Sequence, residues 1–178
     1  MANTMTDLTG SETAHSIFIT GLVNAHALEK QALQIMNRQI ERLQRYPEME
    51  QLLRQHVVET EEQIRRIDEI LHSFGEDRSL LKDTVTQLMG NLAAIAHVPM
   101  ADEILKDTFA NHAFENFEIA AYTSLIAMAE ATGHNQVVPA LQQTLKEEQK
   151  TAQLIHDQIE NITRRYMMLE TSGQQAKM

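Results

Sequence analysis

Carboxylates recur in this chain where a long amphipathic helix ought to be apolar. In the segment 14–45 a 4-3-4-3 stripe runs Phe18, Leu22, Ala25, Glu29, Ala32, Met36, with a glutamate at its centre. The segment 136–168 repeats the pattern as Leu141, Leu145, Glu148, Ala152, Ile155. In 101–132 the stripe is Leu105, Thr108, His112, Glu115, Ile119, Tyr122, with Glu118 one turn from Glu115. The segment 47–74 carries Leu53, Val57, Thr60, Ile64, Ile67 and Leu71, beside a more polar row containing His56, Glu59 and Gln63. A buried carboxylate must be protonated, paired with a cation or bound to a metal. No Lys or Arg interrupts these seams, so a dication is the simplest neutraliser. Oxygen donors suit Mn, Fe or Mg, and the absence of Cys disfavours softer ions.

Each glutamate taken alone has a plainer reading, because it can snorkel to solvent or the stripe can be rotated by one residue. Glu59 borders its stripe instead of lying in it. An internal echo pairs His26-Ala27-Leu28-Glu29 with His112-Ala113-Phe114-Glu115, and Glu61-Glu62-Gln63 with Glu147-Glu148-Gln149. The echo would match Glu62 with Glu148, but helical phase turns Glu62 away, so Glu59 is the preferred residue and Glu62 the reserve. His56 and His112 read first as hydrogen-bonded core or edge residues. Tyr122 reads as core within reach of a ligand, and the ten Met as gap-fillers.

Few punctuators break these segments. Tyr46-Pro47 interrupts the first periodic run, and Pro suits the start of the next helix. Gly75 reads as a helix C-cap, and Gly133-His134-Asn135 separates the last two helices, with Asn135 as N-cap. A shorter helix is expected at about 79–96. The expectation is an all-α, ferritin-like four-helix bundle domain over 13–170, with that fifth helix inside one long crossover. Residues 1–12 and 171–178 read as unstructured ends. Six Gly and three Pro in 178 residues are too few for the turns of a β-sandwich or barrel. A net charge of −10 argues against nucleic acid and anionic membrane as partners. No run of about 20 apolar residues suggests a transmembrane helix, and the zero-Cys composition fits a reducing cytoplasm.

The segments "ALEKQAL", "HVVETEEQIRRIDEI", "FENFEIAAYTSLIAMAEATG" and "TLKEEQKTA" resemble the YciE/YciF family of bacterial stress-associated proteins, in the ferritin-like superfamily near the rubrerythrins. The resemblance spans about residues 16–165. It implies a dimeric bundle with a dinuclear Fe or Mn site drawing on Glu29, Glu59, Glu115, Glu118 and Glu148. The chain departs from the di-iron pattern, which places Glu-x-x-His on two helices. Glu59 is followed by Glu62 and Gln63, Glu148 by Thr151 and Ala152, and the order is reversed in His56-x-x-Glu59 and His112-x-x-Glu115. The resulting expectation is a metal-binding stress protein handling peroxide or another small oxidant, in a homodimer. A non-catalytic helical interaction protein that has lost its metal is the alternative, and an iron-storage subunit a weaker third.

Overall fold

The computed structural model describes residues 12–76 and 102–176. The expected helix 79–96 lies outside the described residues. The described residues form four α-helices: α1 (Glu12–Ile40), α2 (Pro47–Ser73), α3 (Glu103–Ala131) and α4 (Val138–Thr171). Among the described residues there is no strand. No described helix is long and apolar enough to cross a membrane.

The ends follow from local chemistry. The first helix stops at Ile40 and not near 45, and Tyr46, which precedes Pro47, lies outside helical geometry. The chain descends instead through turns, Leu43 N–H to Ile40 O at 3.3 Å and Tyr46 N–H to Leu43 O at 2.7 Å, which tuck Leu43 and Tyr46 inward. Pro47 opens α2, as its fixed backbone angle favours. Gly75 and Gly133 both adopt φ +76°, where a side chain would be strained. The following N–H groups reach back to Leu71 O (3.1 Å) and Ala129 O (2.8 Å), so α2 and α3 end alike. Asn135 does not cap α4. It begins the short 3-10 turn Asn135–Val137, and Pro139 then falls in the first turn of the helix. In the segment read as a tail, α4 continues to Thr171, and the Tyr46 hydroxyl donates to Ala176 O at 3.1 Å.

Packing shows the topology. One apolar cluster joins Phe18 and Leu22 of α1 to Ile67 and Leu71 of α2, Leu125 and Ala129 of α3, and Leu141 of α4. A second joins Met36 and Ile40 to Met49 and Leu53, Ile104, and Ile155 and Ile162. The start of α1 therefore meets the end of α2, the end of α3 and the start of α4. The order is up-down-down-up, and α2 ends at the opposite end of the bundle from where α3 begins. This is the ferritin-like arrangement, in which one connection spans the bundle's length. Between the two apolar clusters lies a polar layer.

Two stripes need re-phasing. On α2 the buried seam is Met49, Leu53, His56, Thr60, Gln63, Ile67, Ile70, which takes His56 and Gln63 from the row read as adjoining it. On α3 it is Ile104, Thr108, Asn111, Glu115, Glu118, Tyr122, Leu125, which excludes His112 and Ile119. The α1 seam lies where the spacing places it, with Glu29 fully inside; on α4 Leu141, Glu148, Ala152 and Ile155 are buried as expected, but Thr144 and Thr151 join the seam and Leu145 is only partly buried.

Candidate metal centre

The seams dictate which side chains meet. Glu115 and Glu118 are three residues apart on the inner face of α3, as are Glu148 and Thr151 on α4. From α2 come His56, Thr60 and Gln63 on successive inner turns, and from α1 comes Glu29. His56, Glu115, Glu118 and Glu148 each offer one donor atom within 4.8 Å of the others', and all four are buried. Nε2 of His56 lies 3.1 Å from Glu115 Oε2 and 3.7 Å from Glu148 Oε2. On its other side, Nδ1 is 3.3 Å from the Thr151 hydroxyl.

Few of these oxygens are hydrogen-bonded. Tyr122 donates to Glu29 Oε1, and Gln63 donates to Glu148 Oε1. Gln63 also reaches Glu147 at 3.1 Å, which Arg66 grips with two nitrogens at 2.6 and 2.7 Å. Both oxygens of Glu118 and Oε2 of Glu29 and Glu148 have no hydrogen-bond partner, while Nε2 of His56 and Oε2 of Glu115 face each other at 3.1 Å and nothing else satisfies them. An unmet buried carboxylate oxygen is costly, and here several of them converge.

Burial pushes the Glu29 carboxyl up to about 8, against the opposing hydrogen bond from Tyr122. Burial likewise holds Glu118 and Glu148 well above the usual carboxylate range, and neighbouring acids push in the same direction. Burial lifts the Tyr122 hydroxyl, and the Glu29 charge adds to it. For His56 burial opposes the charged form, but bonding to Glu115 and Glu59 outweighs it and raises the imidazole well above its ordinary value. Burial thus favours the protonated forms of Glu29, Glu118 and Glu148 in the absence of a cation.

Of the five glutamates singled out by sequence, the fold gathers Glu29, Glu115, Glu118 and Glu148 into this layer. Glu59 stands at its edge, half-buried, 3.6 Å from His56 Nδ1 and 3.3 Å from Lys150. His56, then Gln55 and Lys150, lower Glu59 to about 2. Glu62, the reserve, is exposed and paired with Arg65. His26 pairs with Asp68 at 3.3 Å, and His112 faces His156 outside the layer, so neither histidine of the echo enters it. The residues missed were His56 as a cluster member and Gln63 as its neighbour. Their signal was the heptad row Met49, His56, Gln63, Ile70, whose ends are apolar.

The residues fit a hard or borderline dication: three carboxylates and one imidazole within reach of one point, with unspent donor atoms. The fit to a di-iron pattern is partial, because Gln63 and Thr151 stand where ionisable or imidazole ligands would strengthen it.

Comparison with known proteins agrees with the fold. E. coli (strain K12) Protein YciF is 28% identical over 151 residues, 79% of this chain and 86% of its own length. The crystal structure of a protein from Xanthomonas campestris pv. campestris superposes with a TM-score of 0.74 at 25% identity, over 89% of this chain and 99% of the other. The crystal structure of the E. coli stress protein YciF gives 0.73 at 24%, over 84% and 96%. The model of a family described as a domain of unknown function, DUF892, matches residues 13–168. With that match over most of its length and the same bundle in its relatives, this chain belongs to the DUF892 family, a YciF-like helical protein.

Proposed function

We propose that the buried layer is a carboxylate-rich metal centre in a cytoplasmic stress protein that handles peroxide or another small oxidant. The observation that carries this reading is the convergence of buried donor atoms from His56, Glu115, Glu118 and Glu148, whose negative charge the single His56–Glu115 pair does not balance and whose Glu118 oxygens have no hydrogen-bond partner. One ion would take these four residues, and Glu29 supplies a further carboxylate for a second. Bound Fe or Mn would supply redox chemistry toward the oxidant. The chain's own part is to hold and orient the ligands. Tyr122 fixes one oxygen of Glu29, Gln63 fixes one of Glu148, and Arg66 anchors Glu147 beside Gln63. Thr151 turns the His56 ring so that Nε2 faces the acids.

Thermal melts in chelator, Mn(II) and anaerobic Fe(II), with elemental analysis of protein purified without chelator, test the reading. An ion at a hundredfold excess over its dissociation constant stabilises by roughly 2.7 kcal/mol. For a domain of this size that raises the melting temperature by about 5–10 °C. Absence of any shift up to hundreds of micromolar metal would leave the non-catalytic bundle as the better account.

The proposed protein is a homodimer. Phe109, Leu154, Met167 and Met168 are each at least 40% exposed, and these apolar side chains on α3 and α4 are the candidates for contact with a second copy. Sedimentation at low micromolar concentration is expected to show a dimer. A monomer would refute this, and a large shell would point to storage.

A further inference from the structure

A cavity of about 280 Å³ lies in the groove between α1 and α3 and has Glu115 in its wall. Its sides are apolar, formed by Ala32, Ile35 and Met36 on α1 and by Ala110, Phe114 and Phe117 on α3, with Phe117 57% exposed. A polar row runs beneath them: Asp107, Asn111 and Glu115 follow one another at four-residue spacing on α3, opposite Gln39. Asn111 Nδ2 donates to Gln39 Oε1 at 2.8 Å, a bond that spends neither the Gln39 amide N–H groups nor the Asn111 amide oxygen. The groove therefore presents apolar walls, a neutral donor and acceptor pair, and carboxyl groups at two places. The inner one, Glu115, is 3.1 Å from His56.

That distribution selects an occupant. The walls suit an alkyl or aryl body, and the volume exceeds the roughly 150 Å³ of an apolar cavity that admits benzene. The amides suit an uncharged hydroxyl-type head. An anionic head would meet Asp107 and Glu115 with no Lys or Arg in the lining. Burial raises the Asp107 carboxyl from its ordinary value, against the opposing charge of Arg42, which lies outside the lining and is paired with Glu103.

We propose that this groove binds a small neutral amphiphile, an alkyl or aryl body with a hydroxyl or hydroperoxyl head, and delivers the head toward Glu115. The inference rests on the metal-centre reading only in what the head would meet there; binding in the groove does not require metal.

The probes are 1-octanol and octanoate, titrated into metal-free protein and followed through the Met36 methyl resonance of methionine-labelled protein. Octanol is expected to shift that resonance saturably, and octanoate to bind at least about tenfold more weakly. Ala110→Phe, which fills the groove, should weaken octanol binding by at least about tenfold and leave the metal-dependent melting shift unchanged. The comparison of alcohol with carboxylate needs no variant. The proposal is overturned if octanol gives no saturable shift, if octanoate binds as well, or if Ala110→Phe binds like wild type. It is also overturned if the Met36 signal responds to protein concentration instead of ligand, because a second copy would then fill the groove. A metal-dependent melting shift without octanol binding would defeat the groove alone; octanol binding without the shift would defeat the metal centre alone.

Discussion

The Glu29→Gln, Glu148→Gln double variant is expected to melt higher than wild type in chelator at pH 8 and to lose most of its response to Mn(II) and Fe(II). Both residues are fully buried, and both already accept a hydrogen bond that a glutamine oxygen can accept equally well, from Tyr122 and from Gln63. The substitution keeps size and these bonds while removing two groups whose ionisation is unfavourable inside the layer. Metal binding depends on that same ionisation, so the gain without metal and the loss with metal share one origin. Wild type should gain roughly 2.7 kcal/mol from a hundredfold metal excess, and the variant only a small fraction of it. Differential scanning calorimetry in parallel with metal analysis reads both effects. If the layer were a purely structural polar core, the variant would show only the modest cost of two substitutions and wild type would ignore the metals.

In chelator, the stability of the wild-type protein should fall as pH rises from about 4.5 toward 8, unlike that of a protein held by surface ion pairs. Glu29 titrates at 4.5 in its reference state and at about 8 in the fold. Between those values the native state holds a proton that the unfolded chain has released, so the stability slope is negative. The contribution is fully present below the unfolded value and lost once pH passes the folded one. Glu118 and Glu148 shift in the same direction because burial acts on them alike, and His56, also raised, adds to the loss in the upper part of the range. Glu59 works oppositely: lowered to about 2, it contributes above 4.5 and withdraws support as pH falls toward 2. Its partial exposure keeps that contribution small. Urea unfolding in chelator should thus be hardest near pH 5 and easier by a few kcal/mol near pH 8.5. Glu29→Gln should flatten the curve. With Mn(II) present the trend should reverse, because metal competes with protons for the same oxygens. A pH-independent midpoint in chelator would mean that these acids do not carry buried protons.

The architecture could be read from the chain because four apolar stripes of helical period, broken at Pro47, Gly75 and Gly133, leave little freedom in which helices form and where two of the hairpins lie. Glu29 and Glu148 were legible for the same reason: each interrupts a stripe that is otherwise apolar on both sides, so its inward direction follows from its neighbours. Glu115 and Glu118 were legible as a pair because a three-residue spacing on a helix keeps both on one face.

The stripe of α2 was harder to read, since its seam alternates apolar residues with His56, Thr60 and Gln63, and hydrophobic periodicity weakens where the buried residues are themselves polar. Read by polarity, His56 and Gln63 belong to an outer row. Read by the strict 4-3 spacing from Met49 to Ile70, they belong inside, and the fold places them there. The α3 seam was blurred differently, because Ile119 and the outward Phe109 and Phe117 give that helix apolar residues around its circumference. Sequence alone therefore determined the four described helices, their breaks near Pro47, Gly75 and Gly133, and a mid-bundle concentration of acid. Tertiary structure decided which polar residues answer those acids: His56 against Glu115, with Glu59 left at the edge, Gln63 against Glu148, Tyr122 against Glu29, and no hydrogen-bond donor among the described residues against Glu118. The reason is physical. Helical period sets a residue's direction only to within about one position, or about 100° around the axis. Whether a histidine or a glutamate one turn away reaches the centre depends on which side chain the opposing helix leaves room and charge for.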